Sequence, residues 1–320
     1  MPPGEKKLIQ RIRRLARGGS SIVTGIVTGI GDDCAVLRVP AGHELLVTTD
    51  FSIENVHFRR DWHPPHLVGR RCLTRGLSDI AAMGGEPRAA FLSLAVAGNV
   101  TARWVERFLE GLLELAEEFK LPLAGGDTAQ STGGIQADIV VVGSVPQGKA
   151  VLRSGAKPGE FIYVTGELGG SAAELARLKA RGAVDSKASS TRSAPQARVA
   201  VGQSLRRRGL AAAMIDVSDG LSTDLEHVCQ ESHVGAEIDA ELIPRARIGR
   251  GKKQVALEMA LNGGDDYELL FTSSAPVPAQ LAGVRVTRIG RIVKSTGMRV
   301  IDVEGNRHVL KARGWEHFRG

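Results

Sequence analysis

The sequence predicts a two-domain chain in which helices and strands follow one another in both halves. Three observations carry this. The chain has 320 residues, enough for two separate cores. Its 42% hydrophobic and 24% charged residues are ordinary for a globular protein. Its character changes near Gly148, where the polar connector from Val151 to Glu160 separates two series of apolar segments. The expected domains are therefore 1–147 and 148–320.

Charge and cysteine usage narrow the classes. The net charge is +7, but Lys and Arg are scattered, and neither an aromatic-basic platform nor zinc-finger spacing occurs. Attraction for small phosphorylated molecules explains the charge as readily as nucleic acid does. Cys34, Cys72 and Cys229 form no CxxC pair and, being three, cannot all be paired, which fits a reducing cytoplasm. No apolar run approaches the length of a membrane span, and no signal-peptide core is evident.

Taken in order, residues 5–17 place Leu8, Ile9, Ile12 and Leu15 at helical spacing among basic residues, a surface helix with one buried side. Gly31-Asp32-Asp33 reads as a turn entering a strand from Cys34 to Leu37, and Leu45-Leu46-Val47 as a strand that exits into Thr48-Thr49-Asp50. His57 lies a few residues beyond. His66–Gly85 reads as a helix, with Pro64-Pro65 before it and Gly84-Gly85 at its end. Asp79 falls near its C-terminus, where the helix dipole disfavours an acid; either it is solvated there or a cation requires it. Ala89–Ala97 is a strand and Thr101–Phe119 an amphipathic helix. Gly125-Gly126-Asp127-Thr128 reads as a loop with exposed amides, and 135–145 as the closing strand.

In the second half Phe161–Thr165 is a strand, and Gly166–Ser171 opens a helix from Ala172 to Lys179. Gly-rich turns at helix N-termini bind anions readily, but no Walker-type GxxxxGK[ST] occurs. Residues 181–197 are small, polar and non-periodic, a mobile loop. Ala211–Ile215 is a strand leading to Asp216-Val217-Ser218-Asp219-Gly220, where Asp219 suits a helix N-cap but Asp216 has no such explanation. Gln254–Leu261 reads as a helix that runs into Gly263-Gly264-Asp265-Asp266-Tyr267-Glu268, another glycine-acid turn entering a strand.

Five places thus set carboxylates beside Gly, Ser or Thr at element ends. Such oxygens suit Mg²⁺ beside phosphate, and carboxylates gathered this way repel one another unless cations bridge them. Whether they converge in space is not written in their order.

The set GDDCAVL, TTDFSIENVHF, LSDIAAMGGEPRAAFLSLAV, GGDT, VLRSGAKPGEFIYVTGELGGSAAEL, IDVSDGLSTDL and NGGDDYELLFT, in this order from about Ile30 to Phe318, resembles the thiamine-monophosphate kinase family. That family lies in the aminoimidazole-ribonucleotide-synthetase-like superfamily. The resemblance implies an N-terminal α+β half (1–147) with a mixed sheet that binds ATP and Mg²⁺ and dimerises through a shared β-barrel. It implies a C-terminal α/β half (148–320) that completes the active site. It implies ATP-dependent phosphorylation of thiamine monophosphate by a cytoplasmic homodimer using several Mg²⁺ ions, with neither nucleic acid nor membrane as partner. The metal ligands so implied are Asp33, Thr48, Thr49, Asp50, Asp79, Asp127, Asp216 and Asp219. Gly126, Asp127, Arg153 and Ser218 would contact ATP, and His57, Asp265 and Trp315 the thiamine phosphate. No covalent nucleophile or general base is implied.

The sequence departs from the family at Phe51, where a small or polar residue is usual, at Asn55, where Gly is common, and at Pro195-Gln196-Ala197-Arg198, which keeps only part of a Pro-x-Pro-Arg motif. The competing readings are a sister enzyme of the superfamily, of the purine-synthesis or hydrogenase-maturation type, and a non-catalytic nucleotide-binding relative.

Overall fold

The computed structural model describes residues 5–16, 25–30, 34–181, 195–249 and 253–318. They fall into two compact units, one built chiefly from residues up to Gly148 and one from Lys149 onward. The expected Gly31-Asp32-Asp33 turn and most of the 181–197 loop lie outside the described residues. No helix is long and apolar enough to cross a membrane among the residues described.

The N-terminal unit comprises α1 (Glu5–Ala16), β1 (Ile26–Thr28), β2 (Val36–Leu37), β3 (His43–Ile53), α2 (Pro65–Ala82), β4 (Glu86–Ala97), α3 (Ala102–Glu118), β5 (Leu123–Ser131) and β6 (Gln136–Pro146). Its sheet has the order β3-β6-β4-β5, antiparallel except for the parallel β4–β5 pair. Pro65 opens α2 at the position where a missing N–H costs nothing. Gly84, at φ 67°, ends it, and the Gly85 N–H closes back on the Ile80 carbonyl at 2.9 Å. Thr101 caps α3 by accepting the Trp104 N–H. Leu73 and Leu77 of α2, Phe108 and Leu112 of α3, and Leu94, Ile139 and Val141 of the sheet are all buried. The two helices approach until backbone meets backbone: a Cβ on Gly69 would collide with the Phe108 carbonyl, and one on Gly111 with that of His66.

Two expectations are corrected here. Thr48-Thr49-Asp50 does not form a strand exit, because β3 continues its pairing with β6 as far as Ile53 opposite Gln136. Gly125–Thr128 is not a loop but part of strand β5, parallel to β4. Glycine permits that pairing: a Cβ on Gly126, at φ 141°, would overlap the Leu92 carbonyl. Alternation along β3 then divides its side chains between two faces. Leu46 and Ser52 are buried on one, while Leu45, Val47 and Phe51 stand 51, 66 and 56% exposed on the other. The β1–β2 hairpin covers part of the sheet elsewhere, with Ile26, Ala35 and Leu37 against Ala89, Ala124 and Val142.

The C-terminal unit comprises β7 (Phe161–Thr165), α4 (Gly170–Arg181), α5 (Val199–Arg207), β8 (Ala213–Val217), α6 (Leu221–Ser232), β9 (Gly235–Asp239), β10 (Arg247–Ile248), β11 (Lys253–Gln254), α7 (Leu257–Asn262), β12 (Glu268–Ser273), β13 (Gln280–Leu281), β14 (Val284–Val293), β15 (Gly297–Ile301) and β16 (Arg307–Leu310). The main sheet runs β16-β15-β9-β14-β7-β12-β8, with β13 beside β14 and only the β9–β15 pair parallel. Both sheets are mixed, and neither closes into a barrel. Ile162, Val164, Ile215, Val217, Leu225, Val228, Ile238, Leu270 and Ile289 share one core. The helix expected from Gln254 begins only at Leu257, because Lys253-Gln254 pairs with β10.

Arg198 makes a two-pronged ion pair with buried Glu268 (2.7 and 2.5 Å), and the Thr165 hydroxyl donates to the same carboxylate at 2.5 Å. The shortened Pro195–Arg198 motif therefore keeps the residue that anchors the start of α5.

After β3 the chain reverses through Asn55 at φ 66°, whose N–H donates to the Phe58 carbonyl at 2.7 Å. Asn tolerates this left-handed conformation better than other residues with a Cβ, and Gly better still. Asn55→Gly is therefore expected to leave stability in urea unchanged or slightly raised, and Asn55→Val to lower it by about 1–2 kcal/mol. Equal stability of the two variants would contradict a strained turn.

Candidate active site

In the N-terminal unit Thr48, Thr49 and Asp50 lie on both faces of β3, Asp79 on α2 and Asp127 on β5. The Thr48 hydroxyl donates to the Asp79 carboxylate, across from β3 to the last turns of α2. Asp79 is thus half-buried and engaged, which removes plain solvation as its explanation. Asp50 shares the face of Thr48, and its charge reaches Cys72 of α2. Burial, helped by Asp50 and Asp138, pushes the Cys72 thiol up to about 12. Thr49 points the other way and donates to Asp138 at 2.6 Å. Asp127 is exposed on β5 and accepts the Thr128 N–H at 2.8 Å. His57 Nδ1 accepts the Ile53 N–H at 3.0 Å, which leaves Nε2 as the proton-bearing nitrogen of the neutral ring. Asp33 lies outside the described residues.

In the C-terminal unit the candidates gather around one turn. Asp216 is buried near the end of β8, opposite Leu269 of β12. Asp219 is not the N-cap of α6 as expected; Gly220 occupies that position at φ 118°. The Asp219 and Gly220 N–H groups instead donate to Asp224 Oδ2, at 3.2 and 3.0 Å. The Ser218 carbonyl accepts the Asp265 N–H (2.8 Å), and the Asp219 carbonyl accepts the Trp315 N–H (2.9 Å). Asp265 itself sits at φ 63° and Tyr267 at φ 52°, with the Tyr267 hydroxyl donating to Asp265 Oδ1 at 2.6 Å. Two left-handed residues in three mark a strained segment of the sort found at ligand sites. The Trp315 ring is half exposed and meets His317 edge-on. Asp219 and Trp315 line one cavity of about 1140 Å³, with Glu226 and Gln230 of α6 and with Arg299 and Lys311. Arg153 stands apart from this group, its side chain exposed and its carbonyl accepting the Ser232 hydroxyl at 3.2 Å.

Two buried acids absent from the expected set adjoin it. Asp224 is buried, and burial together with the charges of Asp216 and Asp219 holds its pKa well above the usual carboxylate range. Asp266 accepts the N–H groups of Gly169 (2.6 Å) and Ser171 (3.1 Å) at the start of α4, and burial lifts its pKa to about 7. In sequence, Asp224 was visible only as an acid in the first turn of a helix, and Asp266 only as the neighbour of Asp265.

Among the described residues, no group of three or more His, Cys, Asp and Glu side chains stands ready as a metal cage. The donors themselves, carboxylates and hydroxyls, are the hard oxygens that Mg²⁺ takes. The crowding of Asp216 and Asp219 against Asp224 is the kind of charge that a divalent cation relieves.

Comparison with known proteins shows the family. The family model described as AIR synthase related protein, N-terminal domain, matches residues 31–145, and its C-terminal counterpart matches 157–303. The thiamine-monophosphate kinase of Escherichia coli K12 is 38% identical over 99% of this chain and 99% of its own length. The chain belongs to the thiamine-monophosphate kinase family. The crystal structure of such a kinase from Stenotrophomonas maltophilia is 34% identical and superposes with a TM-score of 0.80, covering 96% of this chain and 99% of that one. A structure described as AaThiL complexed with AMPPCP and TMP is 30% identical with a TM-score of 0.73, covering 98% of this chain and 97% of that one.

Within the family, the departures at Phe51 and Asn55 have local explanations. Asn55 stands in a left-handed turn where glycine is also suited, and Phe51 lies on the open face of the N-terminal sheet.

The elevated pKa of Asp266 makes a pH prediction. Its folded pKa lies above the ordinary 3.8, so its stabilising contribution is full below 3.8 and is lost as pH rises to about 7. The stability advantage of the native protein over Asp266→Asn should therefore shrink across that interval and stay constant at higher pH. Thermal melts of both proteins from pH 4 to 8 check this, and a gap that widens with pH would refute it.

Proposed function

We infer that the protein transfers the γ-phosphoryl group of ATP to thiamine monophosphate, giving thiamine diphosphate and ADP. The observation that carries this is full-length likeness to thiamine-monophosphate kinases, 38% identity across 99% of both chains. The relative solved with AMPPCP and TMP supports ATP as the phosphoryl donor and thiamine monophosphate as the acceptor.

The acceptor is a phosphate oxygen, already largely ionised near neutral pH because a monoester's second pKa is about 6. It needs no general base. Cys72 and Cys229, both buried with thiols pushed up to about 12, are protonated at that pH and unsuited to carry a phosphoryl group. On this reading transfer is direct and in line, and the protein's task is to align and neutralise two anionic phosphates. Asp33, Thr48, Thr49, Asp50, Asp79 and Asp127 in the N-terminal unit, and Asp216 and Asp219 in the C-terminal unit, are the residues that would hold Mg²⁺. Bound there, the ions supply charge neutralisation on the phosphates. Gly126 and Asp127 are assigned to the nucleotide, Ser218 offers a hydroxyl, and Arg153 an exposed guanidinium suited to phosphate. His57 and Asp265 are assigned to the thiamine phosphate. The half-exposed Trp315 ring presents an aromatic face to the cationic thiazolium.

The open face of the N-terminal sheet also supports a homodimer. Leu45, Val47 and Phe51 stand side by side there, half or more exposed, as an apolar stripe that a second copy would cover in forming a shared barrel. On this reading residues 1–147 form the nucleotide-binding and dimerising domain, and residues 148–320 the second.

With MgATP and thiamine monophosphate the protein should release ADP and thiamine diphosphate in equal amounts, with no ³²P retained on the chain. Asp50→Asn should lower the rate on the order of 10²-fold. A labelled protein that turns over at the catalytic rate would exclude direct transfer, and ATP bound without product would point to another acceptor. In sedimentation velocity the native protein should run as a dimer and Val47→Asp as a monomer; a monomeric native protein would refute the barrel.

A further inference from the structure

We propose that Asp224 is a positioning residue that holds the residues assigned to nucleotide and metal, and those assigned to thiamine phosphate, in one fixed arrangement within the C-terminal unit. The inference rests on the functional reading above and adds a residue and a coupling to it.

Two consecutive peptide planes carry the argument. The first joins Ser218 to Asp219: its N–H donates to Asp224 Oδ2 at 3.2 Å, and its carbonyl accepts the Asp265 N–H at 2.8 Å. The second joins Asp219 to Gly220: its N–H donates to the same Asp224 oxygen at 3.0 Å, and its carbonyl accepts the Trp315 N–H at 2.9 Å. A peptide unit is rigid, so gripping its N–H fixes the direction of its carbonyl. Asp224 therefore orients Ser218 and Asp219 directly, and Asp265 and Trp315 through their carbonyls.

The neighbouring contacts follow the same plan. Gly314 N–H donates to the Thr223 hydroxyl at 3.0 Å, and Arg313 N–H to the Ser222 hydroxyl at 3.2 Å, so the first turn of α6 holds the segment that bears Trp315. Tyr267 N–H donates to the Val217 carbonyl at 2.9 Å, which ties the Asp265 segment to the strand end before the turn. Asp224 is only 1% exposed, and the N–H groups it takes are helix-start donors that no carbonyl within α6 can reach. Without this carboxylate both peptide planes would lose their buried acceptor.

The test uses two variants of the full chain. Asp224→Asn keeps a side-chain carbonyl at the same reach, able to accept both N–H groups. Asp224→Glu keeps the charge but moves the acceptor by one methylene. If position matters, Asp224→Asn should hold KM for thiamine monophosphate and the Mg²⁺ concentration for half-activation within about 3-fold of native, while Asp224→Glu raises both together by about 10-fold or more. In hydrogen exchange, the amides of Asp265 and Trp315 should lose protection together in Asp224→Glu. An Asn variant impaired by about 10-fold or more while the Glu variant stays near native would assign the effect to charge and overturn the proposal. So would a Glu variant that melts earlier with unchanged constants and unchanged protection of those two amides. Absence of thiamine diphosphate from the native protein would instead reject the functional reading, and the exchange measurement would still decide the positioning.

Discussion

Burying a carboxylate costs free energy unless donors meet it, and at Asp224 two backbone N–H groups of a turn do so. Asp216 and Asp219 add repulsion that raises its pKa further. This unfavourable electrostatics has a geometric return. The turn from Ser218 to Gly220 cannot rotate without orphaning those donors, and its carbonyls carry Asp265 and Trp315. Residues almost one hundred positions apart in sequence are thereby set by one side chain.

The N-terminal unit solves a different problem by strand alternation. Thr48 and Asp50 face the helix layer, where Thr48 meets Asp79, while Thr49 and the apolar Leu45, Val47 and Phe51 face the open side. One strand therefore serves two surfaces, a polar contact with the helix layer on one and an apolar stripe interrupted by Thr49 on the other. The period of two in a strand makes this separation obligatory. A slip of one residue against β6 would exchange the two sets.

Both units also concentrate backbone strain where chemistry is assigned. Gly126 lies close enough to Leu92 that no Cβ fits, and Asp265 and Tyr267 occupy left-handed conformations beside Asp266. Asn55 does the same at the turn that carries His57. Such positions persist because the surroundings over-determine them: pairing with β4 at Gly126, and hydrogen bonds to the Ser218 and Val217 carbonyls at Asp265 and Tyr267.

Much of this was legible in the chain. Apolar periodicity located α2 and α3, and Pro65, Gly84 and Thr101 marked their ends because capping is a local matter of unsatisfied N–H and carbonyl groups. The ordered acid motifs pointed to the family because each motif carries its own residue types. Pairing was not legible in the same way. Whether Thr48–Asp50 ends a strand or lies within one depends on β6, some ninety residues later, and whether Gly125–Thr128 loops or pairs depends on β4. Asp219 resembled an N-cap because Asp often is one, yet Gly220 takes the position and Asp224 supplies the acceptor. Local hydrogen-bond demand is encoded within a few residues and can be read there. Which partner meets it, and on which face of a strand, follows from packing between segments distant in sequence.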